Sequence, residues 1–301
     1  MVRSRTTTGS QRLAAVALLS TVVVVGVKVV TAWVSGSVSA LGEALQSSAD
    51  VLMSALTLVV LRVSALPPDR EHPYGHGKAE ILSSAFQMLL ILLTSVFIVW
   101  AAYRRLLSPE SIRWDWAALG MGYAVISNLI VAGHLTRRNR EFESPSLAAE
   151  SLHLRTDALM SGGVLVGLLL VGMTGIEAID SGVAILFALV AMSLAFRQLY
   201  ASLHPLMDGA LPEDEIRRLE TALNLHPEVR GFHNLRARKV GSRRFIELHV
   251  MLDDDLSFIE AHDLAEEIER ELSQEFPGSQ VSIHYEPHEA ELEHRKKEHG
   301  E

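Results

Sequence analysis

Cysteine is absent from the 301-residue sequence. Its absence excludes disulfides, thiolate zinc sites and thiol redox chemistry, so a bound metal would have to be held by histidine, carboxylate or amide side chains. Thirteen histidines are available for that purpose. Basic residues are also few, 27 against 36 acidic ones, and no basic stripe is present, which argues against a nucleic-acid partner. We also expect no organic cofactor.

Charge is scarce in the first two thirds of the chain. Residues 1–208 carry 15 Lys and Arg with 14 Asp and Glu, whereas residues 209–301 carry 12 and 22. The mean hydropathy of the whole chain is +0.22, which is high for a soluble protein of this length. These contrasts predict a membrane domain over 12–208, preceded by a cytoplasmic segment at 1–11, and an acidic soluble domain over 209–290.

Six apolar runs in the membrane domain predict transmembrane helices. Each has about 20 residues or more, enough to cross a hydrocarbon core of about 30 Å. Glycine and serine within the runs suit close contact between helices in lipid. The predicted spans are 12–33, 39–62, 80–106, 114–136, 146–173 and 177–200.

The connections between these spans predict the orientation in the membrane. With the N-terminus in the cytoplasm, nine Lys or Arg residues fall on the inner side and three on the outer side. This bias favours a multi-pass protein of the cytoplasmic membrane with both termini inside, and six spans satisfy that arrangement.

After Asp208 the pattern becomes that of a soluble α+β domain. Amphipathic helices are predicted after Pro212, where the proline indicates a helix start, and from Phe258. Alternating segments predict a hairpin with a turn at Gly241 and Ser242, and QVSIHYE predicts a third strand. The predicted order is αββαβ, followed by a polar tail at 291–301 that we expect to be disordered.

Two predicted spans carry polar side chains four residues apart. Gln46 and Asp50 lie on the second span, and His153 and Asp157 lie on the fifth. This spacing places each pair on one helix face, so two packed helices could present four ligands to one point. Because an ionised Asp costs about 3 kcal/mol or more at the bilayer centre, it needs a partner or a water-lined cavity. The alternative is that both carboxylates only hydrogen-bond neighbouring helices.

Other ionisable groups near the membrane are not expected to bind metal. For Glu43, Glu150 and Arg155 we expect interfacial positions or pairing between helices.

A second candidate site lies in the connection after the second span, DREHPYGHGKAE. Asp69, His72 and His76 combine carboxylate and imidazole at spacings of three and four, which suits a borderline divalent ion such as zinc. The alternative is a solvated turn without a ligand.

A third candidate site lies in the soluble domain. His249 is predicted on the strand face opposite Ile246 and Leu248, and His284 and Glu286 share one face of the last strand. Together these elements could hold two zinc-like ions, while an exposed histidine is the alternative for each residue taken alone. The candidate ligands are His233, His249, His262, His284 and Glu286. The histidines that we expect to be exposed and not to ligate are His134, His204, His226, His288, His294 and His299.

The sequence from about Leu13 to Pro287 resembles the cation diffusion facilitators, a family of dimeric divalent-metal/proton antiporters. The resemblance rests on the paired ligands of spans two and five, the loop HPYGHGKAE, the segment LMDGALP, and the stretches HPEVRGFHNLRARKVG and FPGSQVSIHYEP. It is closest to bacterial zinc/iron-type members with a metallochaperone-like cytoplasmic domain.

This resemblance implies three metal sites and one charge pair. A transport site would use Gln46, Asp50, His153 and Asp157; a loop site would use Asp69, His72 and His76; a binuclear site in the cytoplasmic domains would use His233, His249, His262, His284 and Glu286, with the carboxylate bridging. Lys78 and Asp208 match a charge interlock near the membrane surface. Their alternative is an ordinary interfacial ion pair, with a stabilisation of about 0–1 kcal/mol if exposed.

Gln46 departs from the pattern of the resemblance, because zinc-type members usually carry Asp or His at that position. The amide is a poorer zinc ligand and removes one titratable group.

The resemblance implies a homodimeric antiporter in a lipid membrane that exports a divalent metal ion against protons and is not an enzyme. Zinc is the first expected substrate, iron(II) the second, and manganese or cadmium follow. The rival interpretations are a membrane-anchored metal sensor or scaffold without transport and, last, a metalloenzyme.

Overall fold

The computed structural model describes residues 2–142, 145–241 and 243–289. The predicted tail at 291–301, with His294 and His299, lies outside these residues. The chain divides into two compact units, one formed by 1–57 and 86–199 and the other by 58–85 and 200–301.

Six long helices form in the described part of the predicted membrane domain, and all six are long and apolar enough to cross a membrane. The first begins well before the predicted span, because the helix continues back through the polar N-terminal residues. The helices are α1 (Val2–Ser35), α2 (Val38–Ser64), α3 (Lys78–Leu107), α4 (Trp114–Phe142), α5 (Pro145–Thr174) and α6 (Ala178–Leu206).

Small residues allow these helices to pack closely. A Cβ added at Gly167 of α5 would lie 2.7 Å from Val183 Cγ2 of α6, and one added at Gly120 of α4 would collide with Thr31 of α1. Large side chains such as Leu93 and Ile130 remain exposed on the outside of the helices. This distribution suits a bundle whose solvent is lipid, where packing depends on small residues.

The second unit contains the small α+β domain in the predicted αββαβ order. Its elements are α7 (Glu213–Leu223), β1 (Val229–Val240), β2 (Arg243–Leu252), α8 (Phe258–Glu275) and β3 (Ser279–Pro287). The sheet has the order β1-β2-β3, with β1 antiparallel and β3 parallel to β2. Its apolar face packs on both helices around Leu219, Ile246, Leu248 and Ile268, which leaves the opposite face for polar residues.

The ends of the elements follow local chemistry. Ser257 caps α8 in a capping box with Glu260, and Gly241 turns the hairpin with a φ of +61°. Pro212 lies at the start of α7, as expected, and occupies the N-cap position; no side chain caps the helix there, because the proline side chain has no hydrogen-bond acceptor.

Candidate metal centres

The first candidate centre, called here the transmembrane cluster, consists of Asp50, His153 and Asp157. Helices α2 and α5 bring ligand atoms of these three side chains within 4.8 Å of one another. His153 Nε2 lies 3.8 Å from Asp157 Oδ2. Ligand atoms around a tetrahedral zinc ion lie about 3.3 Å apart, so the cluster needs only small side-chain movements to close on an ion.

Gln46 lies one turn before Asp50 on α2. Together with Glu43 and Ser39, it lines a narrow cavity of about 20 Å³. An amide oxygen one turn from Asp50 is within side-chain reach of the same region, since residues four apart share a helix face. Gln46 therefore stays a candidate fourth ligand.

The second candidate centre, called here the loop cluster, consists of Asp69, His72 and His76. Asp69 Oδ1 lies 3.4 Å from His72 Nδ1, and Asp69 Oδ2 lies 3.5 Å from His76 Nε2. The turn that forms it closes where Gly75, with a φ of +82°, donates its backbone N–H to the carbonyl of His72. His76 Nδ1 is buried without a hydrogen-bond partner among the residues described, so this nitrogen is left to bind a ligand or a water molecule.

Backbone hydrogen bonds prepare Asp69 to act as an anionic ligand. Its Oδ1 accepts the N–H groups of His72 at 2.6 Å and of Glu71 at 2.9 Å. The bond from His72 is the main cause that lowers the pKa of Asp69. The carboxyl group is therefore charged, and ready to bind a cation, at a lower pH than an ordinary aspartate.

The third candidate centre, called here the domain cluster, consists of His233, His249, His284 and Glu286. The strand register places His233 opposite His249 and His249 opposite His284, so one histidine comes from each strand in a row across the sheet. Neighbouring ring centroids lie 5.0 Å and 4.7 Å apart.

Glu286 connects the three rings. Its Oε2 lies 3.0 Å from His233 Nε2, and its Oε1 lies 2.8 Å from His249 Nδ1 and 3.3 Å from His284 Nε2. A carboxylate with both oxygens among several imidazoles is a geometry that can bridge two ions or hold one. His262 is not part of this group: it is 54 % exposed on α8 and pairs with Glu266 at 3.4 Å.

The predicted charge pair is present within the second unit. Lys78 Nζ lies 3.0 Å from Asp208 Oδ1, and Arg238 Nη1 adds a second cation at 3.1 Å. The hydrogen bond from Lys78 is the main cause that lowers the pKa of Asp208. Arg238 was not singled out in the sequence, because its position depends on how β1 folds back toward residue 210.

Comparison with known proteins decides the family. The cation efflux transmembrane domain matches residues 14–207, and the cytoplasmic domain of cation efflux proteins matches residues 211–288. The cation-efflux pump FieF of Serratia proteamaculans is 34 % identical over 279 residues, covering 92 % of both chains. FieF of Yersinia pestis is 35 % identical over 276 residues, covering 91 % of both chains.

The chain belongs to the cation diffusion facilitator family. Solved structures are also similar to part of this chain. The metal-bound C-terminal domain of the CzcD transporter from Thermotoga maritima is 32 % identical and covers 25 % of this chain and 87 % of its own, with a TM-score of 0.24. The cytosolic domain of a cation diffusion facilitator family protein gives the same identity and TM-score and covers 25 % and 89 %.

Family membership confirms the coarse functional expectations. This facilitator is a bacterial multi-pass inner-membrane protein that transports divalent metal cations outward, and it is a transporter rather than an enzyme. The cytoplasmic domain matches a dimer-forming family, which supports the expected homodimer. The sensor or scaffold interpretation is therefore not retained.

The sequence did not identify the partners of two buried acids in this facilitator. Asp180 of α6 accepts hydrogen bonds from the Ser37 hydroxyl at 2.6 Å and from the Val38 backbone N–H at 2.7 Å. Glu43 accepts a bond from Lys28, which is 1 % exposed and lies alone in an apolar run of α1. That isolated lysine was the available signal, because a charge within a span needs a partner.

Some of the remaining expectations from the sequence are confirmed and others are wrong. Pairing between helices is confirmed for Glu43, through Lys28, and for Arg155, which donates to Thr136 of α4 at 2.9 Å. Among the histidines expected to be exposed, His134 and His204 are so. The expectation is wrong for His226 and His288, which are partly buried. His226 is 15 % exposed and pairs with Glu271 at 3.1 Å, because α8 packs beside the end of α7.

Proposed function

We propose that this facilitator exports zinc in exchange for protons, and that the transmembrane cluster is its transport site. The observation that carries the proposal is the convergence of Asp50, His153 and Asp157 from two membrane-spanning helices. Two carboxylates and an imidazole within the membrane domain cost free energy unless a partner such as a bound ion stabilises them. Binding of a divalent cation would neutralise both carboxylates.

The donor set supports zinc over harder ions. Magnesium and calcium prefer all-oxygen sites, whereas zinc accepts a mixed set of imidazole nitrogen and carboxylate oxygen in tetrahedral geometry. We propose Gln46 as the fourth ligand, through its amide oxygen. A neutral fourth ligand leaves the site with two negative charges, which match one divalent ion.

The same ligands support proton coupling. Metal binding requires neutral imidazole and ionised carboxylates, so protons compete with the metal for His153, Asp50 and Asp157. If the bundle opens alternately to the two sides, protons entering from outside would displace the metal there. Proton flux and metal flux would then be coupled through one site.

The cytoplasmic elements would supply the metal and hold the dimer. We propose that the domain cluster and the loop cluster bind zinc on the cytoplasmic side. We also propose that His262, which lies outside the domain cluster in this structure, supplies a further ligand. The Lys78–Asp208 pair would act as the charge interlock. Both termini are then cytoplasmic, as the nine inner and three outer basic residues of the connections support.

The test is metal flux into proteoliposomes that contain the purified full chain, with and without an imposed pH gradient. Zinc, iron(II), manganese and cadmium are offered separately at equal concentration. The proposal expects zinc to be carried fastest, and expects flux to rise several-fold when the gradient drives protons opposite to the metal. Flux that ignores the gradient would contradict antiport. Faster iron(II) than zinc would make iron(II) the substrate.

A further inference from the structure

A buried polar network joins three of the membrane-spanning helices. Lys28 of α1 donates to Glu43 Oε2 at 2.7 Å and to Ser47 Oγ at 2.9 Å, both on α2. Ser161 of α5 donates to the same Glu43 oxygen at 2.7 Å. The exposed fractions of the four side chains are 1 % for Lys28, 7 % for Glu43, 7 % for Ser47 and 0 % for Ser161. These four residues are called here the floor.

The floor lies directly beside the transmembrane cluster. Ser161 follows Asp157 by one helical turn on α5, and Glu43 precedes Asp50 by two turns on α2. Glu43 contacts Ser161, whereas Asp50 lies near His153 and Asp157, so α2 and α5 run antiparallel. Both helices therefore reach the floor at the same end of the cluster.

Solvent exposure falls steadily toward the floor. His153 is 44 % exposed, Asp157 is 19 % exposed, and Ser161, on the next turn of the same helix face, is fully buried. Protein therefore encloses the cluster at its Ser161 end and leaves it more open at its His153 end. A transporter that exposes one site alternately to two sides needs such a barrier on whichever side is closed.

We propose that the floor is the gate that closes the transmembrane cluster on the side opposite His153, and that it parts when the site opens to that side. The inference rests on the proposed transport function, since a gate has a purpose only around a transported ion. An ion pair suits this role because desolvation offsets most of its attraction while it is buried. When water enters on opening, it hydrates Lys28 and Glu43. Hydration replaces the lost attraction, so the free energy of the open state is not much higher than that of the closed state.

The absence of cysteine makes a direct accessibility test possible. Val164→Cys places the only thiol of the chain one turn beyond Ser161, at a site that is 1 % exposed. The detergent-solubilised full chain is treated with a small charged methanethiosulfonate reagent, and the labelling rate is measured. In this background, Lys28→Met combined with Glu43→Gln removes both charges while keeping side-chain size. The proposal expects labelling at least tenfold faster in this neutral pair.

A matched control breaks a partly buried bond at the other end of the cluster. Ser151 Oγ lies 2.7 Å from Thr136 Oγ1 and joins α5 to α4 near His153. Ser151→Ala should leave the labelling rate within twofold of the background. An equal acceleration in this control would show general loosening of the bundle and would overturn the proposal.

Two further readouts separate a gate from a merely structural contact. Ser161→Ala removes only the bond between α5 and Glu43, and it should accelerate labelling at least threefold even if the neutral pair fails to fold. Zinc affinity should stay within twofold in either variant, because no ligand is changed. Labelling within twofold of the background in a folded variant would overturn the proposal. Because labelling does not measure flux, failure of transport would refute the proposed function separately.

Discussion

His249 is the central side chain of the domain cluster, and its loss should remove the stabilisation of this domain by zinc. It lies 2.8 Å from Glu286 Oε1, and its ring is flanked by those of His233 and His284. Its replacement by alanine removes one ligand and opens the row of three rings. The substitution should cost little in the metal-free state, because the side chain is 34 % exposed and outside the apolar core.

The size of the effect follows from mass action. A ligand that binds only the folded state at a hundredfold excess over its dissociation constant stabilises that state by about 2.7 kcal/mol. For a domain of this size each 1 kcal/mol shifts the melting temperature by about 4–8 °C, so zinc should raise it by about 11–22 °C. If the loss of His249 weakens binding about a hundredfold, the remaining stabilisation is about 0.4 kcal/mol, or about 2–3 °C.

The assay is thermal unfolding of the fragment 209–289 with and without zinc. This fragment contains the whole apolar core around Ile246 and Leu248, so we expect it to fold alone. The control is His226→Ala, which removes a partly buried histidine outside the cluster and should keep the full zinc shift. A zinc shift that persists undiminished in His249→Ala would refute the assignment of the domain cluster as a metal site.

Three other predictions concern single side chains. Gln46→Asp should tighten zinc binding at the transmembrane cluster at least tenfold, since it adds an anionic ligand; unchanged affinity in calorimetry would show that Gln46 is not a ligand. His76→Ala should abolish zinc binding at the loop cluster, measured by calorimetry in a chain that also carries Asp157→Ala and His249→Ala; an unchanged number of bound ions would contradict this. Glu215→Gln should lower the free energy of unfolding of the soluble domain by about 1–2 kcal/mol at pH 7, because Arg244 binds the carboxylate at 2.7 Å and 3.2 Å. The hydrogen bond from Arg244 is the main cause that lowers the pKa of Glu215. The stabilisation is therefore complete above the ordinary pKa of the carboxyl group and disappears as the pH falls through the lowered pKa; a difference from wild type that does not shrink as the pH is lowered would refute it.

The six spans and the αββαβ order were predictable because both arise from local patterns. Long apolar runs and period-two alternation depend on neighbouring residues only. The pairing of Asp50 with His153 and Asp157 was also accessible, because the spacing of four fixed each pair on one helix face.

The alignment of the domain cluster could not be derived from local patterns. The position of His284 beside His249 depends on parallel pairing of β3 with β2, across the whole of α8. His233 reaches the same row although the register of β1 shifts between it and Arg236. A shift of one residue would have moved each side chain to the other face of the sheet.

Networks between distant helices were the hardest features to predict. Lys28 and Glu43 are 15 residues apart, and Ser161 is 118 residues beyond Glu43, so no helical spacing connects them. The same holds for Arg238, which pairs with Asp208 beside Lys78 although the three residues are far apart in the sequence. Such partners depend on tertiary packing.

The central claim, that Asp157 belongs to the transport site, is tested most directly by zinc flux in proteoliposomes. Wild type, Asp157→Ala and the control Glu150→Ala are compared at equal protein and equal pH gradient. Glu150 lies on the same helix, two turns away and outside the cluster, so its loss should leave flux within twofold of wild type. Asp157→Ala should reduce flux at least a hundredfold in a chain that still elutes as a folded dimer. Flux within twofold of wild type in Asp157→Ala would contradict the assignment of the transmembrane cluster.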